Sequence, residues 1–272
     1  MDSQTDTQEL ILEKSGGVAT VTFNRPRRYN ALTRKMMLED IPAMMGELNQ
    51  DRDVKAIILT GAGDAFCSGA DVGEIANGLL PKSDHTLLDR MDRSQQLMHT
   101  VVDAMRKVRQ PVIGAINGMC AGAGFSIALL TDLRIASDRA RFSMAFVRRG
   151  LIPDIGATYT LPRLVGTARA MDIMLLGDVF DAEQAEKVGI VNRVVFHQEL
   201  MPAARELAER LVNGPTVSIE LIKKGIYLGV DGTLDQAAEF EGTAQAVCRS
   251  TEDFQEGVQS FLEKREPHFK GL

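Results

Sequence analysis

The stretch VIGAINGMCAGAGFSIALLTDLRIAS, residues 112–137, decides the fold class. Its first seven residues, 112–118, are mostly apolar and end at a glycine, which is typical of a buried strand. Residues 121–132 form a glycine-rich turn that opens a helix, and LRIAS (133–137) is a further short strand. Because a helix between two buried strands is the usual crossover of a parallel sheet, the stretch predicts an α/β fold.

The segments on either side extend this pattern. Two more segments have the composition of buried strands: residues 18–24 and 54–61. Helical spacing of apolar residues predicts a helix that begins after Thr33, which Pro42 should kink or split, and a long helix over residues 83–107. Four helices are predicted after residue 199: 199–212, 216–227, 234–248 and 251–264. We therefore predict an α/β core at residues 1–196 and a helical region at 197–272.

The bulk properties limit the classes of function. The chain has 272 residues and a formal net charge of −6, so we expect no general attraction to nucleic acid or anionic membranes. The N-terminal residues are polar and acidic, unlike a signal peptide, and no segment is apolar enough to span a bilayer. Three widely spaced cysteines predict a reducing, cytoplasmic location and no disulfide or metal framework.

Two glycine turns could hold a ligand. FCSGADVGEI (66–75) and INGMCAGAGFSIALLTD (116–132) each follow a buried strand. If one backbone N–H from each turn points at the same position, the pair forms an oxyanion hole. Each turn taken alone is equally consistent with close packing of a helix on a strand. Neither turn has the lysine and hydroxyl that a phosphate-binding loop requires.

Asp154 is a single acid in the apolar loop GLIPDIGATYTLPRLVG, residues 150–166. An ionised carboxyl is costly to bury without a partner, so two interpretations remain open. Asp154 is either a turn residue that reaches solvent or an acid/base kept away from water. In the second case Leu151, Ile152, Ile155 and Phe146 are expected to exclude water.

Several motifs, in this order, carry a family resemblance: FNRPRRYNAL (23–32), GAGDAFCSGAD (61–71), INGMCAGAG (116–124), LPRLVG (161–166) and EGVQSFLEKREPHF (256–269). From about residue 10 to 269 the chain resembles the enoyl-CoA hydratase/isomerase (crotonase) superfamily. The resemblance implies a spiral of β-β-α turns with a helical C-terminal region that builds a homotrimer or a dimer of trimers. It also implies an acyl-CoA thioester as substrate with no separate cofactor, bound through the backbone N–H groups of Ala70 and Ala123.

The resemblance also bears on the reaction. Hydratases of the superfamily use two glutamates, whose positions are occupied here by Ser126 and Phe146, which disfavours simple hydration. Residues 142–166 look most like the isomerases acting on 1,2-epoxyphenylacetyl-CoA and on 3-enoyl-CoA, in which an aspartate at the position of Asp154 is the acid/base. The implied function is therefore a double-bond shift by proton transfer through an enolate.

Alternative functions remain open. His99 matches the histidine base of aryl-CoA dehalogenases, so Asp154 and His99 could instead support dehalogenation or thioester hydrolysis. The chain could also be a hydratase-type enzyme without the usual glutamates, or a non-catalytic CoA- or RNA-binding protein, although its acidic charge argues against RNA. Residues 77–89 are expected to shape the acyl pocket.

The resemblance implies a set of CoA-binding residues: Arg28, Ala31, Ser68, Asp71 and Lys264. A solvated charged surface is the alternative interpretation of the arginines and lysines.

Overall fold

The computed structural model describes residues 8–76 and 86–271, and the strands in this part of the chain form two sheets. The strands are β1 (Leu10–Ser15), β2 (Val18–Phe23), β3 (Ala56–Gly61), β4 (Ala65–Cys67), β5 (Val112–Ile116), β6 (Met119–Ala121), β7 (Leu133–Ser137), β8 (Arg141–Ser143), β9 (Phe180–Asp181) and β10 (Arg193–Val195). The larger sheet has the order β1-β2-β3-β5-β7-β10 and the smaller sheet β4-β6-β8-β9. Pairing is parallel except for β1 with β2 and β8 with β9.

Successive strand pairs divide between the two sheets. In β3–β4, β5–β6 and β7–β8, the first strand joins the larger sheet and the second joins the smaller sheet. Helical segments then return the chain to the next pair, so each turn has the order β-β-α. The predicted α/β spiral is therefore confirmed.

Helices surround the sheets and continue to the C-terminus. They are α1 (Ile41–Gln50), α2 (Val72–Ala76), α3 (Leu87–Lys107), α4 (Ala123–Leu129), α5 (Ala157–Val165), α6 (Thr167–Leu176), α7 (Ala182–Lys187), α8 (Leu200–Val212), α9 (Thr216–Asp231), α10 (Leu234–Arg249) and α11 (Glu252–Glu263). Within the described ranges no helix combines the length and apolar character needed to cross a membrane.

Helix α8 shows how the two regions of the chain are connected. Its buried residues Leu200, Ala204 and Ala208 pack on Ile58 and Ile113 of the larger sheet. A helix from beyond residue 197 thus completes one hydrophobic layer of the α/β core. The division into residues 1–196 and 197–272 stays a prediction, although the predominantly helical part does begin there.

The residues at the starts of α1 and α3 explain where these two helices begin. Before Pro42 the backbone forms a π-helical turn, Met36–Asp40, and α1 begins at Ile41. A proline lacks the N–H of a regular helical turn, so the hydrogen-bond pattern changes just before Pro42, while the backbone stays helical and the helix is not split. Helix α3 starts after Thr86, whose hydroxyl accepts a hydrogen bond from the Asp89 N–H in a capping box. Its predicted start at residue 83 lies outside the described residues.

Candidate active site

The two glycine turns lie against each other because β4 and β6 are parallel neighbours. Gly69 has φ +105° in the first turn, a conformation that glycine adopts readily. A Cβ atom at Gly69 would lie 3.1 Å from the Ala121 carbonyl oxygen and 3.4 Å from the Ala123 nitrogen. Glycine therefore allows the backbone before Ala70 to approach the backbone at Ala123 closely.

Both backbone amides predicted for the oxyanion hole remain available for a ligand. Ala70 pairs with Leu32 in a parallel bridge, whose hydrogen bonds run from Leu32 N to Gly69 O (2.8 Å) and from Asp71 N to Leu32 O (2.9 Å). These bonds use the residues on either side of Ala70. Ala123 is the first residue of α4, where an N–H has no partner within the helix. Among the described residues, neither N–H has a hydrogen-bond acceptor.

Ser126 and Phe146, at the positions of the hydratase glutamates, lie beside the second turn. Ser126 is buried, and its hydroxyl donates a hydrogen bond to the Gly122 carbonyl at 3.3 Å. The Phe146 ring is also buried, and its Cζ atom would lie 4.0 Å from a Cβ on Gly122. These positions therefore carry a hydroxyl bonded to the backbone and an apolar ring, and neither supplies a carboxylate.

Asp154 is half-buried, and its Oδ1 atom is buried without a hydrogen-bond partner among the described residues. Loss of solvation raises the pKa of this carboxyl from 3.8 to about 6. Ile155, the next residue in the chain, is buried, and so is Phe146, as expected. The expectation for Leu151 and Ile152 is wrong, because these side chains are 51% and 75% exposed. They lie on the outer side of the loop, so water is excluded by other groups.

The loop that carries Asp154 runs along α4. At one end, the Leu151 N–H donates to the Phe146 carbonyl at 3.1 Å, and the Phe146 ring reaches the turn at Gly122. At the other end, a Cβ on Gly156 would lie 3.9 Å from Leu130, just after α4. Asp154 thus lies between two points of the chain that approach the residues flanking α4, Gly122 and Leu130.

The predicted CoA-binding residues near the first turn are brought together. Ser68 donates from its backbone N–H to Tyr29 O at 3.0 Å and from its hydroxyl to Arg28 O at 3.5 Å. The Arg28 side chain is exposed beside this turn. Asp71 follows Ala70, and Ala31 lies between Arg28 and the bridge at Leu32.

Arg25 connects these segments, a role that the sequence analysis missed. Its guanidinium donates to the Ala31 carbonyl and forms ion pairs with Asp71 at 2.9 Å and Glu9 at 3.0 Å. The hydrogen bond from Arg25 lowers the pKa of Asp71. Because its charge is neutralised by these carboxylates, Arg25 organises the turn, whereas the exposed Arg27 and Arg28 have no ion pair among the described residues.

His99 and Lys264 are both exposed side chains. The His99 side chain is exposed on α3, and no hydrogen bond joins it to Asp154 among the described residues. The His99–Asp154 pair of the dehalogenase interpretation stays a prediction. Lys264 is exposed at the end of α11, and residues 8–76 and 86–271 contain no ion pair between it and the first turn. Of the predicted acyl-pocket segment 77–89, residues 77–85 lie outside the described residues, and α3 begins at Leu87.

Comparison with known proteins agrees with this geometry. Residues 13–272 match the model of the enoyl-CoA hydratase/isomerase family. The chain belongs to this family. A putative enoyl-CoA hydratase from Streptomyces coelicolor A3(2) superposes with a TM-score of 0.90 at 36% identity, covering 100% of this chain and 98% of that one.

Relatives within the enoyl-CoA hydratase/isomerase family differ in their reactions. The chain is 38% identical to the short-chain-enoyl-CoA hydratase of Clostridium acetobutylicum, over 96% of this chain and 97% of that protein. It is 37% identical to the 1,2-epoxyphenylacetyl-CoA isomerase of Escherichia coli K12, over 94% and 95%. Overall identity therefore does not separate hydratase from isomerase, and the side chains at the site must be considered.

Proposed function

We propose that this family member is an acyl-CoA isomerase that moves a double bond by proton transfer through an enolate. The proposed substrates are a 3-enoyl-CoA, converted to the 2-enoyl-CoA, or a ring-type epoxyphenylacetyl-CoA. The observation that carries the proposal is Asp154, a half-buried carboxyl with an unpartnered oxygen and a pKa raised to about 6. At the two positions where hydratases use glutamate, the chain has Ser126 and Phe146.

The proposed reaction needs one acid/base group. With the thioester oxygen accepting hydrogen bonds from the Ala70 and Ala123 N–H groups, ionised Asp154 takes the proton from carbon 2 of the 3-enoyl chain. The electron pair of that C–H bond moves into a dienolate, whose charge lies largely on the oxygen at the two amides. Protonated Asp154 then returns the proton to carbon 4, which leaves the double bond between carbons 2 and 3.

The pKa of Asp154 suits both steps. A carboxyl with a pKa of about 6 is about 90% ionised at pH 7, so the base form predominates. Compared with an exposed aspartate, ionised Asp154 is a stronger base, because its pKa is higher. The small remaining difference between its pKa and neutral pH also lets the protonated form persist until it returns the proton.

The Ser126 and Phe146 environments support isomerisation over hydration. Hydration requires a group that takes a proton from water while the oxygen attacks carbon 3. The Ser126 hydroxyl donates to Gly122 and is not a base at neutral pH, and the Phe146 ring has no proton acceptor. Because several relatives are named hydratases, hydration of a 2-enoyl-CoA is the reaction to measure beside isomerisation.

We also propose how CoA is held. The exposed Arg28, next to Ala31, Ser68 and Asp71, provides a positive charge for a phosphate beside the oxyanion turns. Lys264 would add a second charge from a neighbouring subunit of a homotrimer or of a dimer of trimers. The proposed location is the cytoplasm.

Isomerisation in heavy water tests this function. The purified chain is mixed with a 3-enoyl-CoA in D₂O, and ultraviolet absorbance reports the conjugated product while mass spectrometry reports deuterium uptake. We expect both signals, with Asp154→Asn binding CoA normally but losing turnover by at least about a hundredfold. Rapid hydration of a 2-enoyl-CoA without isomerisation of the 3-enoyl-CoA, or full turnover by Asp154→Asn, would overturn the proposal.

A further inference from the structure

The residue after Asp154 has an unusual backbone conformation. Ile155 has φ +49°, in the left-handed region, where β-branched side chains are rare. Gly156 follows with φ +73°, so two successive left-handed residues turn the chain sharply into α5. An unfavourable conformation of this kind persists only when surrounding contacts hold it.

One contact is the side chain of Ile155, which is 1% exposed and belongs to the main hydrophobic core. This burial fixes the position of the isoleucine, but it does not satisfy the polar groups of its backbone. A buried backbone N–H needs an acceptor, and in this turn no carbonyl accepts the Ile155 N–H among the described residues.

The acceptor is the thioether of Met98. The Ile155 nitrogen lies 3.4 Å from Met98 Sδ, within the range of an N–H···S hydrogen bond. Met98 is on α3, 57 residues earlier in the sequence, and is partly buried against the core. A Cβ on Gly156 would lie 3.7 Å from Val102, one turn further along α3. Helix α3 thus contacts the loop at two successive turns, directly after the proposed acid/base.

We propose that Met98 is a positioning residue for Asp154, a role that rests on the isomerase function proposed above. By accepting the Ile155 N–H, the sulfur fixes the peptide plane that follows Asp154 and keeps the left-handed turn from rotating. The direction of the Asp154 carboxyl depends on that turn, because its own Oδ1 has no hydrogen-bond partner among the described residues. The carboxyl is therefore oriented from the backbone side of the loop.

Three variants separate the hydrogen bond from packing. Met98→Leu keeps an apolar side chain of similar size but removes the acceptor. Met98→Gln keeps an unbranched side chain and restores an acceptor, the amide oxygen. Met105→Leu is the matched control, since Met105 is a buried methionine on the same helix whose sulfur forms no hydrogen bond among the described residues.

Steady-state kinetics with a 3-enoyl-CoA give the first measurement. We expect Met98→Leu to lower kcat by about tenfold with KM within about twofold, because misplacement of a catalytic group affects the reaction more than binding. Met98→Gln should recover most of kcat, and Met105→Leu should stay within about twofold of wild type. An unchanged kcat in Met98→Leu, or equal losses in all three variants, would overturn the proposal.

Hydrogen exchange gives a measurement that does not depend on the reaction. In folded protein, the amide of Ile155 should exchange about tenfold faster in Met98→Leu than in wild type, but not in Met98→Gln or Met105→Leu. If the wild type does not isomerise any acyl-CoA while this exchange pattern holds, the proposed function fails and the Met98–Ile155 hydrogen bond stands. If Ile155 exchanges equally in all variants, the hydrogen bond does not hold the turn and the positioning role is refuted.

Discussion

Replacing Asp154 with asparagine should make the protein more stable at neutral pH. The change removes the charge and keeps nearly the same shape, so it isolates the effect of burying a carboxylate. The Asp154 Oδ1 atom has no hydrogen-bond partner among the described residues, and burial raises the pKa of the carboxyl from 3.8 to about 6. The ionised form is therefore less favourable in the folded chain than in the unfolded chain.

The size of the effect follows from this difference. Below pH 3.8 the carboxyl is protonated in both states, and the wild type has no disadvantage. As the pH rises from about 4 to about 6, the unfolded chain ionises first and the wild type loses stability. Because one pKa unit corresponds to about 1.4 kcal/mol, the loss levels off at about 3 kcal/mol above pH 7. The advantage of Asp154→Asn should therefore grow by about 2 kcal/mol between pH 4.5 and pH 8.

Urea unfolding of both proteins, at one fixed protein concentration, measures this change. Asp71→Asn is a control of opposite sign, because its hydrogen bond from Arg25 lowers the pKa of Asp71. That variant should lose stability relative to wild type at pH 8, and the loss should shrink as the pH falls. An advantage of Asp154→Asn that is the same at every pH, or a lower stability at pH 8, would refute the burial argument.

Four further predictions concern the site and its support. The kcat/KM for isomerisation should fall on the acid side with a midpoint near pH 6, to about a tenth of its plateau at pH 5, since Asp154 must be ionised. Gly69→Ala, which forces a side chain onto the Ala121 carbonyl 3.1 Å away, should lower kcat by about 10²-fold in the same assay. Lys223→Met breaks a buried ion pair with Asp132 (2.7 Å) and should lower the free energy of unfolding by about 3–5 kcal/mol in urea titrations. His99→Gln should leave isomerase turnover within about twofold, because the side chain is exposed; loss of turnover would return His99 to the mechanism.

Long elements with clear periodicity could be predicted from the sequence. The strand at residues 133–137 is observed as β7, and the four predicted C-terminal helices match α8 to α11 within a few residues. The smaller sheet was not predicted, because its strands have only two or three residues, too few to show an alternating pattern. The helix α5 was missed because its segment contains Pro162 and follows the loop glycines directly.

The backbone amides of the site were easier to predict than the contacts that support Asp154. Gly69 and Gly122 mark both turns in the sequence, since close approach of two backbones requires small residues. The role of Met98 has no comparable signal. A methionine at a helical apolar position reads as an ordinary core residue, and its contact with Ile155 joins positions 57 residues apart. Tertiary structure alone shows that its sulfur meets a backbone N–H.

The buried carboxyl and the strained backbone make the Asp154 loop energetically unfavourable, and both suit it to the proposed proton transfer. An exposed aspartate would keep a low pKa and would be a weak base, so the carboxyl must be partly dehydrated even though this destabilises the folded chain. A carboxylate oxygen left without a protein donor remains free to accept a proton, but it also lacks a hydrogen bond that would orient it. Orientation must then come from the backbone, which here adopts a conformation that isoleucine disfavours. The core around Ile155 and the sulfur of Met98 offset that strain, so the surrounding fold stabilises the conformation that the proposed base requires.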